Sequence, residues 1–453
     1  MVNEFDIDTL KGSDFDTVIV AATDMQGRLF GRRLSLDTFL EIATYGVHVS
    51  SCALGWDIAQ AIGLEVEYTG FHTGWHDFRL VPDLNSFKPI PWLEKTAIVM
   101  SDIAEKQTGT LLPIAPRTIL KRQIQSLNKL GYEPNIGTEL EFFLYNCSYD
   151  QARASKYQNM IPTTLTRSQD LINRQTNALE PFFRELGRVL DLAGIKVLFR
   201  EAEWGHGQWE VNIAYQKALD MADHHTLFKL ATKDIASNHN LAATFMARPT
   251  GDDVGSSCHI HISLQNSDGT WVFYDENSSY YSISSLMRYS LGGLLAHTPE
   301  LMIWYAPMIN SYRRTASQQF ASYGRTWGFD NRTVTCRIIG HAKNSLRIEF
   351  RVPGADVNPY LGIASVLGSI KDGLEEKLDP GSPTEGNAYW LENVELFPNN
   401  LAEATDKFET SNFAKTNFGD DVVRHYAAHA RFEWTQFMNT VTDWEKERYF
   451  ESI

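Results

Sequence analysis

The sequence predicts a two-part fold of the α+β or α/β class, with a small, mainly β N-terminal part and a larger C-terminal part. Three observations predict it. Strand-like runs broken by turns and prolines fill the first hundred residues. A clear amphipathic helix follows. Beyond it, strands with charged faces alternate with helical stretches.

The N-terminal part begins with the run 17–22, which leads into the turn Asp24-Met25-Gln26-Gly27. A second run, 96–101, follows the proline-rich stretch 88–92. A polar segment with Pro113 and Pro116 then gives way to a helix whose apolar face carries Ile119, Leu120, Ile124, Leu127 and Leu130, with Gly131 as its stop. The boundary falls within 105–117. Further helices are expected near 168–193, 216–238, 282–297, 359–377 and 419–442.

Composition narrows the function classes. At 453 residues, with 43% hydrophobic and 21% charged content, the chain has ample core for two or three domains. No apolar run is long enough to span a bilayer, and residues 1–10 do not read as a signal segment. Cysteines 52, 147, 258 and 336 show no CxxC spacing, so a reducing cytoplasm is the expected location. A net charge of −15 argues against a nucleic-acid partner. No repeat is visible.

The chemistry lies in three alternating segments, Glu139-Leu140-Glu141, His259-Ile260-His261 and Arg347-Ile348-Glu349-Phe350-Arg351. Residues two apart on a strand share a face, so each segment offers polar groups to one side and apolar groups to the other. Glu203 and Glu210 bracket a glycine-containing loop and add two more acids. Five carboxylates and His259 crowded together would repel and neutralise one another unless divalent cations held them. An oxygen-rich set with one imidazole suits Mg²⁺ or Mn²⁺, two or more per site. Each acid alone could equally be a solvated strand residue; the assembly is what carries the inference.

Arginines complete the pattern. Arg314 follows Asn310-Ser311-Tyr312, Arg332 and Arg337 bracket 333–336, and Arg347 and Arg351 flank Glu349. Guanidinium forks beside a carboxylate–metal cluster suit phosphoryl transfer, where positioning and charge neutralisation do most of the catalysis. Arg313 reads as a surface residue, and no Walker-type loop is present.

In order along the chain stand Gly-x-Glu-x-Glu-Phe, Glu-x6-Glu with Gly-Gln inside, Gly-Ser-x-x-His-x-His-x-Ser, Asn-Ser-Tyr-x-Arg, Asn-Arg-x4-Arg, Arg-x-Glu-x-Arg-x-Pro and Asn358-Pro359-Tyr360-Leu361. This series resembles the glutamine synthetase superfamily over nearly the whole chain, on the branch of the γ-glutamylamide synthetases. Asp24 to Arg28, with 82–92, resembles the small domain of the bacterial type. The resemblance implies an α+β fold with a β-grasp-like domain over 1–107. A catalytic domain over 108–453 would carry an antiparallel-rich sheet flanked by helices.

It also implies roles. Glu141, Glu203 and Glu210 would hold the metal nearer glutamate, and Glu139, His259 and Glu349 the metal that bridges the ATP phosphates. Arg314, helped by the Gly255 backbone, would take the glutamate carboxylate. Arg332 and Arg351 would grip the transferring phosphoryl group and γ-carboxylate. Arg337 and Arg347 would bind nucleotide phosphates, with Tyr215, His261 and Ser263 lining the nucleotide pocket. The implied reaction makes γ-glutamyl phosphate from glutamate and ATP, after which an amine displaces phosphate. A large homo-oligomer, a dodecamer with sites between subunits, is implied as well. Control by adenylylation is not expected, because the stretch 389–392 does not match the modified loop. A catalytically dead member would show eroded metal or arginine positions, and none is seen.

The departures concern the amine. Ammonia-using members carry Pro-Gly-Tyr-Glu-Ala-Pro after the arginine; here residues 315–322 read Thr-Ala-Ser-Gln-Gln-Phe-Ala-Ser, with Phe320 at the glutamate position. The loop bearing a second ammonium-site acid reads Val47-His48-Val49-Ser50-Ser51, and Val254 replaces an asparagine. A protonated amine needs a carboxylate to attract it and take its proton. Residues 315–326 hold no acid and include Arg325, so an amine that is neutral at pH 7, packed on Phe320, is the leading expectation. An aromatic or bulky apolar amine therefore ranks first. An aliphatic amine, polyamine or ethanolamine comes next and ammonia last, with Asp57 as the alternative source of a base.

Overall fold

The computed structural model describes residues 7–62, 64–166, 170–278, 281–315, 321 and 324–453. Its first sheet holds β1 (Thr17–Thr23), β2 (Leu29–Ser35), β3 (Val47–Ser50), β4 (Asp77–Pro82), β5 (Lys88–Pro89) and β6 (Thr96–Glu105), in the order β2-β1-β6-β4-β3 with β5 beside β6. Central β6 is buried along its length except at Glu105, which explains its apolar run. Its pairing with β1 is parallel and that with β4 antiparallel.

The second sheet forms the floor of the site. It comprises β7 (Tyr132–Tyr145), β8 (Val197–Ala202), β9 (Gln208–Ile213), β10 (Gln216–Lys217), β11 (Ala242–Thr244), β12 (Cys258–Asn266), β13 (Trp327–Phe329), β14 (Cys336–Ile339) and β15 (Arg347–Phe350). The order is β13-β14-β15-β12-β7-β9-β8, antiparallel except where β13 meets β14. Helices such as Ala218–Asn238 and Pro359–Glu376 pack outside it, so the class is α+β.

Two joints fix the sheets relative to each other. Arg117, at the start of the helix Pro116–Lys129, donates to Asp102 Oδ1 (2.8 Å), Asp83 Oδ2 (2.8 Å) and Asp223 (3.0 and 3.2 Å). Asp223 also accepts from the Tyr360 hydroxyl at 2.6 Å. Removing one partner from such a buried group costs about 3–5 kcal/mol. Asn358 caps the helix Pro359–Glu376 by accepting from Tyr360 N at 3.1 Å, while its Nδ2 donates to Asp24 O and Met25 O. The Asn-Pro-Tyr and Asp24–Arg28 motifs are therefore two halves of one contact.

Helix boundaries differ from the periodicity at three places. The stretch expected as one helix over 168–193 is two helices, Asn173–Ala178 and Glu180–Leu192, because Pro181 cannot continue a preceding helix; residues 168 and 169 lie outside the described set. The helix expected to end at 297 runs Ser285–Tyr305, through Pro299. Pro299 cannot bond the Leu295 carbonyl, and Arg325 Nε occupies that carbonyl at 2.7 Å instead. The helices Leu401–Thr410 and Asn412–Phe418 carry no expectation from the sequence.

Candidate active site

Register brings the charged faces together. His259 on β12 pairs with Glu139 on β7, and Glu349 on β15 pairs with His261 on β12 and Arg337 on β14. On the other side Glu141 pairs with Glu210 on β9, which pairs with Glu201 on β8. Glu203 enters from the loop after β8. That loop closes at Gly207, whose φ of +68° favours glycine and where a Cβ would lie 2.6 Å from Leu144 O. Asp253 holds the same loop, accepting from His206 N (2.9 Å) and pairing with its Nδ1 (2.8 Å).

The six residues expected to bind metal fall into two groups, Glu139–His259–Glu349 and Glu141–Glu203–Glu210, each with one donor atom per residue within 4.8 Å of the others. In the first, His259 Nδ1 lies 2.8 Å from Glu139 Oε1 and 3.4 Å from Glu349 Oε1. His261 Nε2 reaches Glu139 Oε2 at 3.1 Å, Arg337 donates to Glu349 Oε2 at 2.8 Å, and Arg351 donates to Glu349 Oε1. Burial would raise Glu139, but His259 and His261 hold it well below the usual carboxylate range. Arg351 and His259 likewise override burial to hold Glu349 down.

The second group is different. Glu141 Oε2 accepts from Gln208 Nε2 (2.7 Å) and Ser257 N (2.9 Å), and Glu210 accepts from Asn212. These donors are neutral. Burial, then Glu141, pushes Glu203 well above its ordinary range; burial, then Glu139 and Glu203, does the same to Glu210. Both donor sets, two carboxylates with an imidazole and three carboxylates, fit hard divalent cations.

Glu139 and His259 of the first group and all three acids of the second line one cavity of about 820 Å³, together with Gly255, Arg314, Arg332, Arg337 and Arg351. Glu349 lies behind Arg337 and Arg351, which it holds. Arg314 is buried and anchored on Val352 O (2.9 Å), Ser257 Oγ (2.8 Å) and Arg351 O (3.2 Å). Gly255 has no room for a side chain, since a Cβ would lie 2.6 Å from Arg314 Cγ. A neighbouring cavity of about 290 Å³ collects Tyr215, His261, Ser263 and Arg347, with Trp271 opposite Tyr215. Four of the five residues expected at the nucleotide thus line one slot. Arg337 faces the carboxylate cavity instead, held by Glu349 and Asp330.

The amine side departs further from expectation. Phe320 and Tyr323 lie outside the described residues. Arg325 does not face the cavity: it is paired with Glu395 and donates to Leu295 O and Ala296 O, so it bridges the proline-interrupted helix instead of repelling a cation. Asp57 Oδ1 accepts from Ala59 N and Ala61 N, 2.8 Å each, and is not on the cavity wall. Two acids absent from the sequence expectation are on it, Asp170 and Glu201. Glu201-Ala202-Glu203 has the same alternation that marks Glu139 and Glu141, so Glu201 was legible by that rule. Asp170 carries no such signal.

Residues 113–449 match the glutamine synthetase catalytic domain. The chain is 37% identical over 441 residues to the γ-glutamylethanolamide synthetase GlnA4 of Streptomyces coelicolor, covering 97% of this chain and 94% of that protein. It is 36% identical over 451 residues to a glutamate–isopropylamine ligase of a Pseudomonas species, covering 98% and 97%. Among solved structures, apo GmaS superposes with a TM-score of 0.85 at 25% identity, over 98% of this chain and 99% of that one. No helix among the described residues is long and apolar enough to cross a membrane. A matched catalytic domain, full-length relatives and two ligand-grade acid clusters under four arginines lead to one assignment: the chain belongs to the glutamine synthetase family, on its γ-glutamylamide synthetase branch, and is an ATP-dependent glutamate–amine ligase.

Proposed function

We propose that the amine is a small aliphatic one, of the size of ethanolamine or isopropylamine. The observation that carries this is the pair Asp170 and Glu201 on the cavity wall, beside Leu171, Phe199 and Trp204. An alkylamine arrives as a cation, and a carboxylate flanked by apolar side chains attracts it and takes its proton. Asp170 Oδ2 accepts the Trp204 indole N–H at 3.1 Å, which fixes that carboxylate beside an apolar surface. The two relatives named for ethanolamide and isopropylamine point the same way. An aromatic amine is the second reading, favoured by the Phe199 and Trp204 rings on the same wall.

In this reading Glu141, Glu203 and Glu210 hold one Mg²⁺ or Mn²⁺ and Glu139, His259 and Glu349 another. These ions supply charge neutralisation at the phosphate and carboxylate oxygens. Arg314 and the Gly255 backbone orient glutamate. Tyr215, His261, Ser263 and Arg347 hold the nucleotide, with Arg337 reaching its phosphates. The glutamate γ-carboxylate oxygen attacks the γ-phosphorus of ATP and ADP leaves, while Arg332 and Arg351 offset the charge that builds up. The amine nitrogen, its proton passed to Asp170, then attacks the acyl carbon of γ-glutamyl phosphate. The C–N bond forms as phosphate departs, and the departing phosphate takes the second proton from nitrogen.

The division into 1–107 and 108–453, a cytoplasmic location and a dodecameric assembly with sites completed by a neighbour belong to the same proposal. Exposed Leu165, Leu171, Ile172, Leu198 and Phe199 near the cavity support a neighbour there. The test is phosphate release with ATP, Mg²⁺ and glutamate against ammonia, ethanolamine, isopropylamine, putrescine and aniline, each product identified by mass. Ethanolamine or isopropylamine should turn over fastest, and Asp170→Asn should raise the KM for that amine while sparing the KM for glutamate. Faster turnover with aniline would overturn the aliphatic reading.

A further inference from the structure

A separate cavity of about 590 Å³ opens between the N-terminal turn and the catalytic part, within the size range of small-molecule sites. One wall is basic. Lys229 and Lys233 lie four residues apart on the helix Ala218–Asn238, hence on one face, and Arg28 reaches the same space from the turn after β1. Arg28 is committed elsewhere, to Asp24 Oδ2 at 2.8 Å and to the Asp57 and Ile58 carbonyls. Lys229 gives one of its three protons to Val357 O at 3.1 Å. Among the described residues, no ion pair joins either lysine to Asp356 or Glu433, the two acids on the cavity. Burial pushes the Lys229 ammonium down to about 8 against the upward pulls of Cys258 and Asp356, with Lys233 adding a smaller push in the same direction as burial. Facing them are Phe245, Met246, Met308 and Ile309.

A half-buried Lys229 and an exposed Lys233, neither ion-paired among the described residues, thus stand beside an apolar wall, where one carboxylate can take hydrogen bonds from both. We propose that this cavity binds a small organic carboxylate with an apolar body, its carboxylate on Lys229 and Lys233 and its carbon skeleton against Phe245, Met246 and Met308. Two sources share that chemistry: a plain monocarboxylate, or an apolar α-amino acid whose ammonium faces Asp356 or Glu433. The site is distinct from the ligase cavity and independent of which amine the enzyme uses.

Titration calorimetry on the full-length protein, with glutamate and ADP saturating the ligase site, tests it using 4-methylpentanoate and leucine as probes. At least one should bind. Lys233→Met should weaken it about tenfold or more, the loss of one charged contact, while its ligase turnover stays at the wild-type level and so reports a folded enzyme. Arg332→Ala, in the ligase cavity, should leave probe binding unchanged. Tighter leucine would identify the amino acid as the source, tighter 4-methylpentanoate the plain acid. Binding of neither probe, binding indifferent to Lys233→Met, or binding lost with Arg332→Ala would overturn the proposal.

Discussion

The two acid clusters share a cavity and a sheet, yet their charge is balanced in opposite ways. Glu349 is gripped by Arg337 and Arg351, and Glu139 by His259 and His261. Glu141, Glu203 and Glu210 receive hydrogen bonds from neutral amides, and burial followed by neighbouring carboxylates (Glu141 for Glu203, Glu139 and Glu203 for Glu210) pushes Glu203 and Glu210 towards the protonated form. Two guanidiniums stand on Glu349 in one cluster, while the other has only neutral hydrogen-bond donors among the described residues. The difference teaches that two clusters of similar ligand spacing can differ in how much of their charge the surrounding side chains offset before any ion binds.

Turnover cannot separate the clusters, because both should be essential. Glu349→Ala and Glu210→Ala should each cut phosphate release by about 10³-fold or more, the scale of losing preorganised charge stabilisation. Full activity in either variant would break the metal assignment. Cation removal should separate them. Chelation should lower the thermal midpoint of the wild type, and much of that sensitivity should vanish in Glu203→Gln, whose cluster then carries less unbalanced charge; thermal scans with and without a chelator check this.

A guanidinium-balanced acid far from the cavity gives a control. Burial would raise Asp102, but Arg117 and Lys121 hold it below its ordinary value. A depressed folded value means that this stabilisation is present above the unfolded pKa of about 3.9 and is lost as pH falls through the folded value. Asp102→Asn should therefore cost about 3 kcal/mol at pH 7 and flatten the acid limb of the stability–pH curve. The smallest effect belongs to Arg325. Arg325→Ala should cost about 1–2 kcal/mol by orphaning the Leu295 carbonyl and should leave the KM for the amine unchanged. A clear fall in that KM would restore a cation-repelling role.

The grouping of the acids was legible because strands report their faces. Alternation at Glu139/Glu141, His259/His261 and Glu349/Arg351 states which groups point one way, and antiparallel pairing then stacks those faces. Charge balance was not legible, since it depends on which guanidinium reaches which carboxylate across strands. Arg325 illustrates the limit: its sequence neighbours suggested the amine site, while its side chain turns to a helix thirty residues upstream. Asp170 is the converse, a cavity acid with no period to announce it. Helix ends failed where proline chemistry intervened, at Pro181 and Pro299.

The most direct test of the unequal clusters is urea denaturation of metal-free wild type, Glu349→Gln and Glu203→Gln. Glu349→Gln should be less stable by about 3–5 kcal/mol, because Arg337 and Arg351 lose their shared counter-charge. Glu203→Gln should match or exceed the wild type. Equal destabilisation of the two variants would contradict the account.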